Sequence, residues 1–394
     1  MPKIQRTTID FIRNSYFDQA MTKNRLIYGV PAENPDLAYA LGATSADPII
    51  YLEAQGKPCA VVPNTEIDEM KRKARVRRIF PYSDFFRKMK SLNRRLGESD
   101  MIRALLNDFR IKTVEVHPYM PAILVDQLRK SGIKVNLGTH PFCPKRLTKT
   151  PTELQKIAAA QKVTFQAIGH VASILKASRI SGSKLYYKGK VLTSEFLHAA
   201  AKTFLVQQGY DCPTGIIIAC GDDSTEPHNA GHGPVRPHQS VIVDIFPQNA
   251  ETRFFGDATR TFCKGKPSRD LQLIYLAVRE AQEMALRMIR PGVNGQTIHT
   301  AIQEFFNSLG FTTRPEKGRL VGFFHGTGHG LGLALHEDPV RISSASWVLK
   351  PGNVVTVEPG LYYPGIGGVR IEDVVVVTKT GCKIIGSFPK KLVV

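Results

Sequence analysis

Four short stretches of the 394-residue chain hold side chains able to bind a cation. In the first, Val241-Ile242-Val243-Asp244 is followed by Gly256-Asp257-Ala258-Thr259-Arg260-Thr261-Phe262, with Pro247, Gln248 and Asn249 supplying turn chemistry between the two acids. That pattern predicts Asp244 and Asp257 on adjacent strands of a hairpin. In the second, Phe324-His325-Gly326-Thr327-Gly328-His329-Gly330-Leu331-Gly332 runs on to Leu335-His336-Glu337. Glycines around His329 permit close backbone approach to whatever the imidazole binds. The third and fourth are Thr356-Val357-Glu358-Pro359-Gly360 and Val369-Arg370-Ile371-Glu372-Asp373, which read as strands carrying a glutamate each. Period-two alternation places Thr356 with Glu358, and Arg370 with Glu372, on one face.

Taken singly, each of these residues has a plainer reading. An aspartate often ends a strand at a turn, a lone histidine is usually structural, and a glutamate can face solvent from an edge strand. The glycine-rich histidine stretch lacks the Lys-Ser/Thr ending of a phosphate-cradling loop, so that alternative is set aside. The sum is harder to explain without a ligand. Asp244, Asp257, Glu358 and Glu372 crowded together would raise one another's pKa values and oppose folding. Two divalent ions would cancel the four negative charges. With a single imidazole, His329, the donor set suits Mn²⁺, Co²⁺ or Fe²⁺ better than a thiolate-rich zinc site. A pair of such ions can polarise a carbonyl for attack by water.

The elements that must position these groups fall in the second half of the chain. Up to about residue 140, short strand and helix patterns alternate: strands at Leu26–Val30, Ile49–Leu52, Cys59–Val62, Ile79–Tyr82 and Thr113–Val116, helices at Glu66–Arg75, Phe85–Phe109 and Ala122–Lys130. This predicts an α/β layer structure without a catalytic constellation. Pro141, Cys143, Pro144 and Lys145 break the periodicity near His140–Thr148, which marks a boundary between domains at 1–143 and 150–394. Thr150, Pro151 and Glu153 then compose a helix start with a capping box. Leu154, Ile157, Phe165, Ile168, Ala172 and Leu175 continue it at helical spacing. A second helix is expected from Ser194 to Gln208. Another pair follows, one carrying Leu271, Ile274, Tyr275, Val278, Ala285 and Met288, the next from Gln296 to Leu309. Each pair leads into strands, so the second domain reads as a duplicated α+β unit.

Composition narrows the class further. Apolar residues make up 42% and charged residues 22%, the balance of a soluble globular chain. The longest aliphatic stretches, Ile216–Cys220 and Val241–Val243, are far below the roughly 18 residues of a membrane span. Met1–Gln5 leads into charged residues with no apolar signal-peptide core, and a cytoplasmic location is expected. Six cysteines without a C-x-x-C pair are expected to be free, mostly buried thiols. The net charge of +19 is concentrated in Lys71–Arg95, where Asp84 is the single acid. That run has neither the aromatic ladder nor the zinc spacing of nucleic-acid modules, so it reads as a solvated basic face and no nucleic-acid partner is expected.

The order V-D … G-D-A-T-R-T-F … G-H-G-L-G-L-A-L-H-E … V-E-P-G-L-Y … G-G-V-R-I-E-D resembles the pita-bread metallopeptidases, a family with methionine aminopeptidase, aminopeptidase P and Xaa-Pro dipeptidase (prolidase) among its members. The resemblance covers roughly residues 150–394, and the additional N-terminal α/β domain is similar to the creatinase/prolidase-like domain of the prolidase and aminopeptidase P branch. It implies a duplicated pita-bread catalytic domain and two divalent metal ions, Mn²⁺ or Co²⁺ first and Fe²⁺ or Zn²⁺ as alternatives. It further implies a peptide or dipeptide substrate containing proline, and a homodimer. Position by position, it implies that Asp244 chelates one metal, Asp257 and Glu372 bridge both, and His329 and Glu358 hold the second. Glu358 would be the general base, His336 would contact the substrate carbonyl, and His228 would stand near the scissile bond, with His232 and His238 as neighbours that compete for that role. Arg370 would orient carboxylates from behind the ligands. Two features depart from the family: the Asp244–Asp257 interval is two residues longer, and Ile245-Phe246-Pro247 replaces a small-residue turn. Two other functions stay open at this point, a methionine aminopeptidase-like enzyme and a non-catalytic binding protein on the same fold. If His329 must be neutral to bind metal, activity is expected to fall with pH below its pKa, ordinarily about 6.5.

Overall fold

The alternating segments of the first 140 residues build one mixed sheet with helices on both faces. The computed structural model describes residues 24–89 and 97–394. The chain divides into two compact units, Met1–Pro144 and Lys145–Val394. In the first, strands β1 (Arg25–Gly29), β2 (Ile49–Ala54), β3 (Lys57–Val62), β4 (Arg78–Pro81), β5 (Thr113–Val116) and β6 (Lys134–Leu137) lie in the order β4-β3-β2-β1-β5-β6. The β1–β2 and β2–β3 pairs are antiparallel; β3–β4, β1–β5 and β5–β6 are parallel. Neighbours on one strand point to opposite faces. Leu26 and Ile50 join a cluster with Met101, Ile102 and Leu105, whereas Ile27 and Ile49 join Leu37, Leu41 and Met70. Helices therefore cover both faces.

Two sequence expectations change here. The continuous helix expected over Phe85–Phe109 is two helices, Tyr82–Met89 and Glu98–Asp108, and the second starts at Gly97, whose N–H donates to the Asp100 carboxylate at 3.3 Å. A short helix at Pro35–Leu41 was not anticipated, although its capping group is local: Asn34 Oδ1 accepts from Leu37 N at 3.0 Å. The basic run is partly neutralised, since Lys73 pairs with Glu69, Arg87 with Asp84 and Lys88 with Asp108. Its residues 90–95 lie outside the described residues, as does the Met1–Gln5 start.

The second unit opens on the helix Pro151–Ala177. Its start is the predicted capping box: Glu153 N donates to Thr150 Oγ1 at 3.3 Å, and Thr150 N donates to Glu153 Oε2 at 2.8 Å. This helix and Ser194–Gln207 pack with an antiparallel sheet of Ile217–Cys220, Val241–Ile245 and Ala258–Phe262. The second half repeats the plan. Helices Arg269–Met288 and Gly295–Ser308 share a core with strands Val354–Val357 and Asp373–Val377 and with the hairpin Gly360–Tyr363/Gly367–Arg370.

Within these sheets, register does the positioning. Asp244 lies opposite Thr259, so Asp257 stands just before its strand and close to Asp244. Val357 lies opposite Asp373, so Glu358 and Glu372 are the residues immediately outside the ladder, rather than on strands as expected. Their N–H groups explain the exit: Glu358 N donates to Thr327 O at 2.8 Å and Glu372 N to Thr259 O at 3.0 Å. Pro359 then supplies no donor to continue the pairing. All six cysteines are free; Cys59, Cys143 and Cys263 are buried, and Cys212, Cys220 and Cys382 partly exposed. Among the described residues no helix is long and apolar enough to cross a membrane.

Candidate metal centre

Asp257, His329 and Glu372 arrive from three different segments and place ligand atoms within 4.8 Å of one another. His329 Nε2 is 3.6 Å from Asp257 Oδ2 and 3.6 Å from Glu358 Oε1. The histidine segment reaches this point because Gly328 has no side chain: a Cβ there would collide with the Thr356 carbonyl. The Thr356 hydroxyl then accepts from His329 N at 3.1 Å. Glu372 Oε2 accepts from the Thr259 hydroxyl at 2.8 Å. Asp257 is held by Gln161, whose Oε1 accepts from Asp257 N at 2.9 Å and whose Nε2 donates to Asp257 O at 2.8 Å. Asp244 Oδ2 accepts from Arg370 Nη2 at 2.6 Å, and its Oδ1 is buried without a hydrogen-bond partner.

The electrostatics are those of a centre short of positive charge. Burial pushes the Asp257 carboxyl well above the usual carboxylate range, and Glu372, Asp244 and Glu358 push it further. Glu372 rises for the same reasons, burial first and then Glu358 and Asp244. Burial and Asp244 bring Glu358 up to about 8, against the opposing pull of Arg370. His329 moves the other way: burial and the neighbouring His336 lower it to about 3. Its imidazole is thus neutral, the form that binds metal, well below the ordinary value of 6.5 at which protonation was expected to begin. Four carboxylates, among them Asp244 with an orphaned, buried oxygen, and one neutral imidazole make a donor set that fits divalent cations.

The remaining candidates surround this cluster. The His336 ring packs edge-on against His329, with centroids 4.2 Å apart. His228 is exposed, and the neighbouring His336 is held below its ordinary value by burial first and then by His228 and Arg341. Arg370 Nη2 donates to the carbonyl of neighbouring Pro227 at 3.3 Å. His232 and His238 turn to other partners, His232 Nδ1 to Asp223 at 2.7 Å and His238 Nδ1 to the Lys266 carbonyl at 3.1 Å.

A polar chain that sequence reading did not assign stands behind Asp244. Arg370 Nη1 donates to the Tyr362 hydroxyl at 2.8 Å, and Tyr362 OH lies 2.8 Å from His325 Nε2. His325 Nδ1 is 2.8 Å from the Gly326 carbonyl. Accepting from Arg370, the tyrosine passes its own proton toward Nε2, which leaves Nδ1–H for the carbonyl. Burial and Arg370 bring His325 down to about 3, and burial raises Tyr362 to about 12. His325 four residues before His329, and Tyr362 four after Glu358, were the sequence signals available. Arg260 is a second buried arginine, donating to Asp373 Oδ1 at 2.7 Å and to the Glu372 carbonyl at 2.6 Å.

The sequence pattern of Metallopeptidase family M24 matches residues 155–379, more than half of the chain. A probable dipeptidase PepE of Mycobacterium tuberculosis is 27% identical over 373 residues, covering 91% of this chain and 89% of that protein. An Xaa-Pro dipeptidase of Pyrococcus furiosus is 34% identical over 242 residues, 60% of this chain and 62% of that one. The solved structure of an Xaa-Pro dipeptidase from Bacillus anthracis has the same fold, with a TM-score of 0.78 at 24% identity over 98% of this chain and 99% of that one. The fold is therefore the pita-bread fold with an additional N-terminal domain, and the chain belongs to Metallopeptidase family M24, a family of metal-dependent hydrolases.

Proposed function

We propose that this chain hydrolyses the bond before proline near a free N-terminus, using two divalent metal ions held by Asp244, Asp257, His329, Glu358 and Glu372. The observation that carries the reading is the meeting of Asp257, His329 and Glu372 within 4.8 Å, with Glu358 beside His329. Bound there, divalent ions would supply Lewis-acid charge to the scissile carbonyl and acidify a water. Mn²⁺ or Co²⁺ fits the oxygen-rich set best, with Fe²⁺ or Zn²⁺ as alternatives.

The chain's own residues supply the rest. Glu358 is the proton acceptor: its side chain is 18% exposed, against 4% for Asp257 and 10% for Asp244, so it is the more accessible base. His336 donates a hydrogen bond to the substrate carbonyl, where negative charge develops. His228 stands at the scissile nitrogen or its neighbour. Arg370 and Thr259 fix Asp244 and Glu372 respectively. Residues 150–394 act as the catalytic domain and residues 1–143 as a creatinase/prolidase-like domain. The same reading takes the enzyme to be a cytoplasmic homodimer, and light scattering of the purified chain tests its subunit number.

Turnover of Xaa-Pro, Xaa-Pro-Yaa and Met-Ala-Ser peptides by the Mn²⁺- or Co²⁺-loaded chain tests the substrate. Cleavage of Xaa-Pro alone means a dipeptidase, and release of the first residue of Xaa-Pro-Yaa means an aminopeptidase. Cleavage of Met-Ala-Ser in preference to both would overturn the proline reading. Absence of rebound divalent metal after chelation would leave a binding protein instead.

A further inference from the structure

Glu337 follows His336 directly, and its carboxylate gathers four donors inside the second unit. Lys149 Nζ lies 2.5 Å from Oε2, and Arg146 Nη2 lies 2.8 Å from Oε1. Leu333 N and Ala334 N, in the same turn, donate to Oε1 at 2.8 and 3.3 Å. The Glu337 and Lys149 side chains are each only 3% exposed, and that of Arg146 12%. The turn itself closes on Glu337 N, which donates to the Gly330 carbonyl at 2.8 Å. Gly332 has no side chain to obstruct the fit, since a Cβ there would meet the Glu337 carboxylate. Lys149 is fixed in turn: its Nζ donates to Arg146 O at 2.9 Å, and its N–H to Gly352 O at 2.8 Å. The turn from Gly330 to Glu337 is thus anchored at its far end by two cations from the segment before the helix Pro151–Ala177. Its near end leaves His329, and its last residue before the anchor is His336.

We propose that Lys149 and Arg146 are positioning residues for peptide hydrolysis, acting through Glu337 to hold His336 in place against His329. This rests on the reading that His336 contacts the substrate. Glu337 and Lys149 are buried and Arg146 largely so, and all three are hydrogen-bonded, so the anchor is broken only at high cost. A displacement of about 1 Å in a positioned group can reduce a rate by about 100-fold. The anchor's cations meet Glu337 itself, while the Gly330 carbonyl that accepts from Glu337 N also lies 3.1 Å from His329 Nδ1, so bound metal is measured beside activity to separate an effect on His336 from one on the ligand.

The test uses the full chain as wild type, Lys149→Met, Lys149→Arg, Arg146→Met, His336→Ala and the Lys149→Met/His336→Ala double variant. We expect Lys149→Met to lower kcat/KM for an Xaa-Pro dipeptide about 10–100-fold, chiefly in kcat, with bound metal per chain unchanged. Lys149→Arg should recover most of this. The double variant should be no worse than His336→Ala beyond about twofold, because both changes act at one point. In the metal-free protein the His336 ring ¹⁵N resonances, assigned by their loss in His336→Ala, should shift or broaden in Lys149→Met. Losses that multiply in the double variant, loss of metal, or an unmoved His336 resonance would overturn the positioning role. If Lys149→Met does not fold, Arg146→Met, at the more exposed cation, carries the same comparison. A fully active His336→Ala would sink the substrate-contact reading, and the proposal with it. Multiplying losses with an impaired His336→Ala sink the positioning role alone.

Discussion

Two groups of buried carboxylates in the second unit answer burial in opposite ways. At Glu337, burial raises the proton affinity, yet Lys149 and Arg146 outweigh it and hold the carboxyl below its ordinary value of 4.5. At Asp257 and Glu372, burial is joined by repulsion from other carboxylates, and Arg370 is too small an offset to prevent a large rise. The comparison separates structure from function more sharply than burial does. A buried acid with its own cations completes the fold, whereas a buried cluster with too few cations is built for charge brought from outside.

The comparison can be broken or sharpened by substitution. The largest effect is expected at the open side of the cluster, where Glu358→Ala should cost about 10²–10⁴-fold in kcat, with an unchanged circular dichroism spectrum. Retained turnover would remove Glu358 as the base. Next, Glu337→Gln should destabilise the chain by about 3 kcal/mol in urea unfolding, because two cations lose their buried partner. In chelator-treated protein at pH 8, Glu372→Gln should instead raise the melting temperature, since it removes one of several crowded negative charges. Equal signs for these two variants would end the distinction. Thr259→Val should weaken metal affinity about 10–100-fold, measured by competition with a chelator, because Glu372 loses its orienting hydroxyl.

The smallest effect is a pair of opposite pH slopes. The folded carboxyl of Glu337 lies below its unfolded value, so its stabilisation is complete above 4.5 and is lost as pH falls through the folded value. The urea-midpoint gap between wild type and Glu337→Gln should hold from pH 5 to 7 and narrow below 4.5. Glu358 lies above its unfolded value, so in metal-free protein its contribution is complete below 4.5 and is lost as pH rises through about 8. Metal should therefore raise the melting temperature more at pH 8 than at pH 5.

Much of the carboxylate and histidine cluster is legible in the sequence, because its residues are chemically expensive where they stand. An acid after Val241-Ile242-Val243, or between Val357 and Pro359, has no place in an apolar strand unless something compensates it. The hairpin joining Asp244 and Asp257 was legible from its turn residues, and the helix start at Thr150 from its capping box. The supporting groups were not legible. Lys149, Arg146 and Gln161 look like ordinary surface residues in one dimension, and only the packing reveals that they lie against Glu337 and Asp257. His325 and Tyr362 were visible as residue types, but their joint link to Arg370 depends on a contact between separate strands. The merged helix at Phe85–Phe109 shows the converse error, because the expected helix ran through Gly97, whose extended backbone begins a separate helix.

The pairing of Val357 with Asp373 sets the spacing of Glu358, just after one strand, and Glu372, just before the other. Adding or deleting one residue in either strand would turn one glutamate toward the opposite face of the sheet. The chain would still fold, with its hydrophobic ladder rebuilt one step along, and yet separate the two glutamates of the candidate metal centre. The Pro364–Ile366 tip of the intervening hairpin lies beyond that constraint. Changes in length during divergence should therefore collect at the tip and be purged from the strand ends.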